Sequence, residues 1–520
     1  VSAAFAITTP IYYVNGAPHI GHTYTTCVAD TLARWRRLRG EEVYFQTGTD
    51  VHGDKAVEAA LAAGEAPEAF TRRMSAEWRQ TWDELGIAYD RFIQTTDADH
   101  VAGVKLILQR LWERGEITFR EYEGLYCVGC ERFLSDRDMQ DGLCRDHERA
   151  PELRSESNYF FRMSRHFGWL ARTLEEQPGL IRPARYKAEV LGMIRDDSGL
   201  SDLCISRPRQ RLAWGIELPF DSNYVCYVWF DALLNYLVGC GFPEDSGWEA
   251  RWRNTHHLIG KDILKPHGVF WPTMLHAAGL PLYRSLNVHG FWNMEDRKIG
   301  KSLGNMVDPR VMKQRYGFEP FRYFLLREMA YGQDGSFSEA ALARRIDADL
   351  ANNLGNLLSR TLDMLARYCG GRIPTPPGQD GASTEGEAER QLREATAETA
   401  AAVNRFVEEV TLHRALEAIF ALLNQTNRTL EQCAPWKAAK EGRQKDVEEI
   451  LRTCCNVLRA AGLLLAAFLP EAAAEILSRL GAASALKTAR LPEDAAAWNA
   501  LPPGTQTRKA PPLFPRAPRP

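Results

Sequence analysis

The sequence predicts an α/β protein: a doubly wound parallel sheet, a metal-binding segment in the middle of the chain, and an all-helical bundle beyond it. Three observations carry this reading. Strand-like and helix-like segments alternate from Ile7 to Leu85, the order that builds a parallel sheet with helices on its faces. Cys127 and Cys130 form a Cys-x-x-Cys pair that is followed, after a gap of 13 residues, by Cys144 and His147. Beyond Leu350, apolar residues recur at helical spacing through three long stretches.

A chain of 520 residues has room for several domains. Its net charge of −3 means that any nucleic-acid partner must be held by local basic faces. Eleven cysteines, an odd and scattered set, suit a reducing cytoplasm better than a disulfide framework. The best apolar run, Ala460 to Leu469, is too short to span a bilayer, and no secretory leader is expected.

Ile7 to Tyr13 is β-branched and aromatic and reads as a buried strand. Asn15, Gly16 and Pro18 break it, and from Gly21 a helix is expected, with Val28, Leu32 and Trp35 on one face. A strand that turns sharply into a helix aims the helix's N–H groups and positive end at a guest such as a phosphate chain. His19 and His22, three apart, can both face that guest and donate to it. Val43 to Phe45 starts a second strand ending at Asp50, in the position where parallel sheets bind ligands. Ala56 to Leu85 reads as helical with a break between Gly64 and Pro67; Phe70, Met74, Trp78 and Trp82 make a core-facing stripe.

Near Glu116 the texture changes. Two turns that each supply ligands at i and i+3 give zinc its tetrahedron of thiolates and imidazole; the alternative is three unrelated thiols and a surface histidine. Four protein ligands leave no open position, so the expected role is structural. Leu203 to Gln210 reads as a strand. The β-rich part of Tyr224 to Tyr236 is expected to end at Phe230, with Asp231 as N-cap of the helix carrying Tyr236. Trp229, Ala232 and Tyr236 would then line an apolar wall, or simply a strand–helix core contact. His257 to Gly260 is a strand followed by Lys261, Asp262 and a helix that includes His267; Leu286 to Trp292 is a further strand. In Lys298-Ile-Gly-Lys-Ser302, two lysines at i and i+3 can reach over a polyphosphate, although such loops are usually just solvated. Helices are expected around Leu350–Leu365, Leu412–Leu423 and Ile450–Leu465. A loop is expected over Gly370–Glu387, and a Pro-rich tail after Pro492 wraps back onto the surface.

Taken together, these segments make the chain similar over nearly its whole length to the bacterial methionyl-tRNA synthetases, a class I aminoacyl-tRNA synthetase family, in their single-knuckle branch. His19-Ile-Gly-His22 and Lys298–Ser302 match the two class I ATP signatures in order, with an insertion between them. The second departs from Lys-Met-Ser-Lys-Ser by carrying Ile299 and Gly300. The resemblance implies a Rossmann-like catalytic domain split over 1–116 and 227–270 and a connective insertion, 117–226, holding the zinc knuckle. It also implies a linker domain, 271–345, with the Lys-rich loop, and an α-helical anticodon-binding domain with tail, 346–520. It assigns His19, His22, Lys298 and Lys301 to catalysis, and Asn15, Gly21, Gly260, Asp262 and Ser302 to ATP. Ile11, Tyr13, Asp50, Trp229, Ala232, Tyr236, Ile263 and His267 go to methionine, Asp50 pairing with the α-ammonium and the apolar cavity suiting a polarizable sulfur that a tyrosine hydroxyl or histidine N–H can mark. Asn356, Arg360 and Trp436 would read the anticodon; taken singly they are a capping amide, a surface arginine and a core indole. Pro266 and Val51 depart from residues common in the family at those places.

The implied activity is ATP-dependent methionine–tRNA ligation, with structural Zn2+, Mg2+ accompanying ATP, and initiator and elongator tRNA(Met) as partners. A cytoplasmic monomer without membrane attachment is expected. Rival readings are a class I synthetase for Cys, Ile, Leu or Val, a cofactor-making adenylyltransferase, and a non-catalytic RNA-binding scaffold. No cysteine sits among the pocket positions to hold the zinc of a cysteinyl enzyme. The chain also has no room for the editing insertion of the Ile, Leu and Val enzymes.

Overall fold

A six-stranded parallel sheet organises the first half of the chain, in the order Arg91–Gln94, Val43–Asp50, Phe5–Tyr13, Thr255–Gly260, Ser285–His289 and Ile181–Arg182. The computed structural model describes residues 5–130, 132–134, 138–195, 200–294, 297–298, 306–376 and 385–518. The chain divides into two compact units, Val1–Pro18 with Val43–Gly290, and His19–Glu42 with Phe291–Pro520.

In the first unit the central strand Phe5–Tyr13 carries one irregularity. Its ladder with Val43–Asp50 slips by a residue between Thr8 and Ile11, where Pro10 has no N–H to donate. Beyond the slip Tyr13 lies opposite Asp50, so the bulge sets which residues meet at the carboxyl end of the sheet. The helices Asp54–Ala63 and Pro67–Glu84 are separated as expected, Gly64 ending the first with a φ of 70° and Pro67 starting the second. Phe70, Met74, Trp78 and Trp82 are all buried, as their spacing predicts. Helix Ala98–Glu113 leads into a long antiparallel ribbon of Ile117–Cys127 against Glu152–Phe161, and the Cys/His segment lies between those two strands.

The second unit contains the helix Ile20–Leu38 and a helical bundle. Arg322 is buried and ties that helix to the bundle: it pairs with Asp30 at 2.6 Å and donates to Thr31 Oγ1 and to the carbonyls of Ala467 and Phe468. Arg36 and Arg39 both pair with Glu408. The bundle comprises Asn356–Tyr368, Leu412–Cys433 and Gln444–Leu465, together with Glu387–Glu408, which the sequence reading left unassigned. The tail folds back as expected, Arg508 N donating to Arg479 O and Ala517 N to Asp347 Oδ1. Among the described residues no helix is long and apolar enough to cross a membrane.

Three local expectations are corrected, and two expected helices are present with part of their length in the π register. Asp231 is not an N-cap: the strand ends at Cys226 and the helix Val228–Leu233 starts after Tyr227, placing Asp231 inside it. The β-branched and aromatic run around Val228 to Phe230 was read as strand because propensity favours it, and tertiary burial overrides that preference. Leu286 to Trp292 is two strands, since Leu286 lies in the parallel sheet whereas Trp292 packs on Tyr24 and Phe324 in the second unit. Leu203 to Gln210 changes sheets, Leu203 pairing with Phe161 and Ser206 with Cys226. Leu350 to Leu365 is π-helical over Ile346–Gly355 and α-helical only from Asn356, and His267 likewise sits in a π-helical turn, Pro266–Phe270.

Candidate functional site

His19 and His22 are built into the start of the helix Ile20–Leu38. His19 is its N-cap, Nδ1 accepting from Gly21 N at 3.1 Å, and His22 Nδ1 accepts from His19 N at 3.3 Å. The imidazoles thus take up two of the orphan N–H groups that a helix N-terminus presents. The consequence is a defined tautomer, because a ring whose Nδ1 accepts carries its proton on Nε2. Burial, and then the neighbouring His19, hold the His22 pKa well below the ordinary imidazole value, so the ring stays neutral with an Nε2–H. Gly21 leaves room for the capping imidazole: a side chain there would lie 3.0 Å from His19 Cε1, and the ring would have to give way by a few tenths of an ångström.

The residues expected around methionine all lie in the first unit. Ile11 and Tyr13 project from one side of the strand Phe5–Tyr13, and buried Asp50 is the register partner of Tyr13. The Trp229 ring stands edge-on to Tyr13 at 6.3 Å and to His267 at 6.2 Å. Ala232 lies on the same helix as Trp229, and Tyr236 on the next, Asn235–Gly239. Tyr236 Oη lies 2.7 Å from His267 Nε2, and His267 Nδ1 lies 2.9 Å from the carbonyl of Ile263. A carbonyl can only accept, so Nδ1 bears the imidazole proton and Nε2 accepts from the tyrosine. Burial lowers the His267 pKa to about 4 and raises that of Tyr236, keeping both neutral. Both hydrogens are therefore directed within the protein.

The sequence reading missed the network beneath that slot. Asp231 accepts from His52 Nδ1 at 2.7 Å and from His100 Nε2 at 2.6 Å, and all three residues are buried. Burial alone would raise the Asp231 pKa; the two imidazoles outweigh it and hold the carboxylate below its ordinary value. Around it the chain after Asp50 is pinned. Val51 N donates to Thr95 Oγ1, Val51 O accepts from Trp214 Nε1, and Asp54 accepts from Tyr126 Oη and Arg211, each at 3.0 Å. These partners are separated by tens of residues, so no local spacing could have announced them.

Asn15 lies in the turn before the helix, Gly260 closes the strand Thr255–Gly260, and Asp262 follows it as an exposed side chain. Lys298 pairs with Asn293 in a two-residue strand. Its side chain, and the whole of Lys301 and Ser302, lie outside the described residues.

Cys127, Cys130, Cys144 and His147 converge, their ligand atoms all within 4.8 Å of one another. Cys130 Sγ is 3.4 Å from Cys144 Sγ and 3.3 Å from His147 Nδ1, and Cys144 Sγ is 3.9 Å from that nitrogen. Zinc–ligand bonds of standard length in a tetrahedron predict edges of about 3.5–3.8 Å, so the donor set fits a metal ion. Gly129 allows the two turns to close, because a side chain there would lie 2.6 Å from the His147 ring.

In the second unit Asn356, Arg360 and Trp436 also come together. Arg360 pairs with Glu431 at 2.6 Å and its guanidinium lies 5.6 Å over the Trp436 ring. Asn356 is exposed one turn away, and the open groove that Asn356 and Arg360 border is lined further by Asn352, Asn353, Asn424, Asn427 and Arg428. This row of amides is a second feature the sequence reading did not find.

Known proteins resemble this chain over nearly its whole length. A family model described as "tRNA synthetases class I (M)" matches residues 5–148 and 137–362, and one described as the anticodon binding domain of methionyl tRNA ligase matches 379–517. The methionine–tRNA ligase of Deinococcus radiodurans is 44% identical over 98% of this chain and 74% of its own length. That of Streptomyces coelicolor is 38% identical over 99% and 96%. Among solved structures, Mycobacterium tuberculosis methionyl-tRNA synthetase in complex with methionyl-adenylate superposes with a TM-score of 0.91 at 38% identity, covering 99% of this chain and all of that one. The chain belongs to the methionyl-tRNA synthetase family of class I aminoacyl-tRNA synthetases.

Proposed function

We propose that this chain is a methionine–tRNA ligase working in two steps. A methionine carboxylate oxygen attacks the α-phosphorus of ATP, taken as its magnesium complex; the new P–O bond forms as the bond to pyrophosphate breaks. A ribose hydroxyl of the terminal adenosine of tRNA(Met), the 2′ position by class I analogy, then attacks the methionyl carbonyl and AMP leaves. No protein nucleophile is needed, so the residues position and stabilise charge. The neutral Nε2–H groups of His19 and His22 donate to phosphate oxygens. Lys298 and Lys301 neutralise the charge that builds as pyrophosphate departs, with Asn15, Gly21, Gly260, Asp262 and Ser302 shaping the ATP site. Asp50 pairs with the α-ammonium, and Ile11, Tyr13, Trp229, Ala232, Tyr236, Ile263 and His267 enclose the side chain. Asn356, Arg360 and Trp436 read anticodon bases by hydrogen bonding and stacking.

The division into 1–116 with 227–270, 117–226, 271–345 and 346–520 is proposed on the same family grounds, as are a cytoplasmic location and a monomeric state. Zinc is the metal proposed for Cys127, Cys130, Cys144 and His147. Bound there it supplies a covalent cross-link between the two turns, and with four protein ligands it takes no part in the reaction.

The observation that carries this reading is the near-complete likeness to a synthetase whose own complex is with methionyl-adenylate. The test is amino-acid-dependent pyrophosphate exchange over a panel of methionine, cysteine, isoleucine, leucine and valine. Methionine alone should support exchange, and His22→Ala should slow it by about two orders of magnitude or more, the range typical of a lost transition-state donor. Exchange driven better by another amino acid, or unaltered exchange in His22→Ala, refutes the corresponding assignment.

A further inference from the structure

The buried carboxylate of Asp231 has no place in the reaction just described. Its position is nevertheless unusual in three respects. It sits on the helix Val228–Leu233 between Trp229 and Ala232, two residues of the expected amino-acid slot. One of its partners, His52, is two residues beyond Asp50; the other, His100, lies on the helix Ala98–Glu113. And it is wholly buried, in a setting where apolar residues of similar volume would usually serve stability as well or better than a charged group.

The connections around it form a chain of constraints. Asp50 enters from the sheet, Val51 is held on both its N–H and its carbonyl by Thr95 and Trp214, and His52 packs edge-on against Trp214 at 5.5 Å while donating to Asp231. Asp54 completes the segment through Tyr126 and Arg211. The Asp231 carboxylate is thus the point at which the segment carrying the proposed ammonium partner, Asp50, is tied to the helix carrying the aromatic wall. An ion pair to an ammonium group falls off steeply with small displacements, so the spacing of Asp50 from that wall decides how well both ends of one amino acid are met at once.

We propose that Asp231 is a positioning residue for amino-acid binding: by bridging His52 and His100 it holds Asp50 and Trp229 at one separation and so sets the affinity for methionine. The inference rests on the methionine–tRNA ligase reading above. Asp231→Asn keeps the shape but offers a single acceptor where two imidazole N–H groups need one each. A bond is lost unless the imidazole facing the amide nitrogen moves its proton to its other ring nitrogen and accepts, and for His100 that other nitrogen, Nδ1, has no partner among the described residues. In pyrophosphate exchange by the full chain, the KM for methionine should rise about tenfold or more in Asp231→Asn, a change of about 1.4 kcal/mol. The KM for ATP should stay within about twofold. Because His52 donates through Nδ1, His52→Asn places an amide N–H at the same reach and should keep methionine affinity near that of the unsubstituted chain, whereas His52→Leu should reproduce the Asp231→Asn defect. Should Asp231→Asn not fold, the two His52 variants decide. Equal rises in both KM values, an unchanged methionine KM, or no difference between His52→Asn and His52→Leu overturns the proposal. Absence of methionine-dependent exchange in the unsubstituted chain overturns instead the functional reading on which it rests.

Discussion

Tyr236 and His267 direct their polar hydrogens to each other and to the carbonyl of Ile263, so in the proposed methionine slot neither is left to donate to sulfur. Removing the hydroxyl in Tyr236→Phe leaves His267 Nε2 a buried acceptor with no donor, at a cost of about 1–3 kcal/mol. Thermal unfolding should show that loss. The ratio of kcat/KM for methionine over norleucine, by contrast, should be unchanged, because neither hydrogen addresses the ligand side chain; a ratio that collapses shows that the hydroxyl reads the thioether. The histidine pair at the helix start makes a related point. Its spacing in sequence was enough to identify it, but the spacing suggested two free donors, whereas the structure uses each Nδ1 as an acceptor and thereby fixes where the remaining proton sits.

Among the elements, the π-helical segment Ile346–Gly355 followed by the helix Asn356–Tyr368 carries Asn356 and Arg360, two of the residues proposed to read RNA. Asn427 Nδ2 donates to the Leu423 carbonyl and to Asn353 Oδ1; Asn353 Nδ2 donates in turn to Asn424 Oδ1. A backbone carbonyl accepts only, so it orients Asn427, and each amide orients the next. The buried Asn353 therefore braces the segment just before Asn356 against the helix Leu412–Cys433. Asn353→Leu should raise the KM for tRNA(Met) in aminoacylation by about tenfold while methionine-dependent pyrophosphate exchange stays within about twofold. A parallel loss in both assays would show a general folding defect instead. The leucine stripe in this region was legible, since helical periodicity is a property of adjacent residues. The π register was not, and the helix this segment packs on, Leu412–Cys433, lies more than 50 residues along the chain. The knuckle lies at the other extreme: its four ligands come as two local pairs, and spacing alone identified them.

At the scale of the molecule, buried neutral histidines couple stability to pH. Burial holds His22, His257, His267 and His289 below the ordinary imidazole pKa, with neighbouring histidines adding to the effect at His22 and His257. A depressed folded-state pKa means that the unfolded chain takes up protons first. The stabilisation is therefore complete above about pH 6.5 and is lost as pH falls, for His267 toward about pH 4. For that residue alone the loss is on the order of 3 kcal/mol. Urea midpoints should fall between pH 7 and pH 5, less steeply in His267→Gln; a flat profile in the unsubstituted chain would contradict this account. Local order in the chain was enough to determine the alternation of strands and helices, the Cys/His cluster, the turn that starts the helix at His19 and the helical bundle, because each is written in residues within a few positions of one another. Tertiary structure alone decided that Asp231 is a buried bridge and not a helix cap, that Leu286 and Trp292 belong to different cores, and that Tyr236 and His267 spend their polar hydrogens inside the protein. Those outcomes depend on which distant groups share a dry interior, and burial, charge and proton position are set there by partners that no short window of sequence contains.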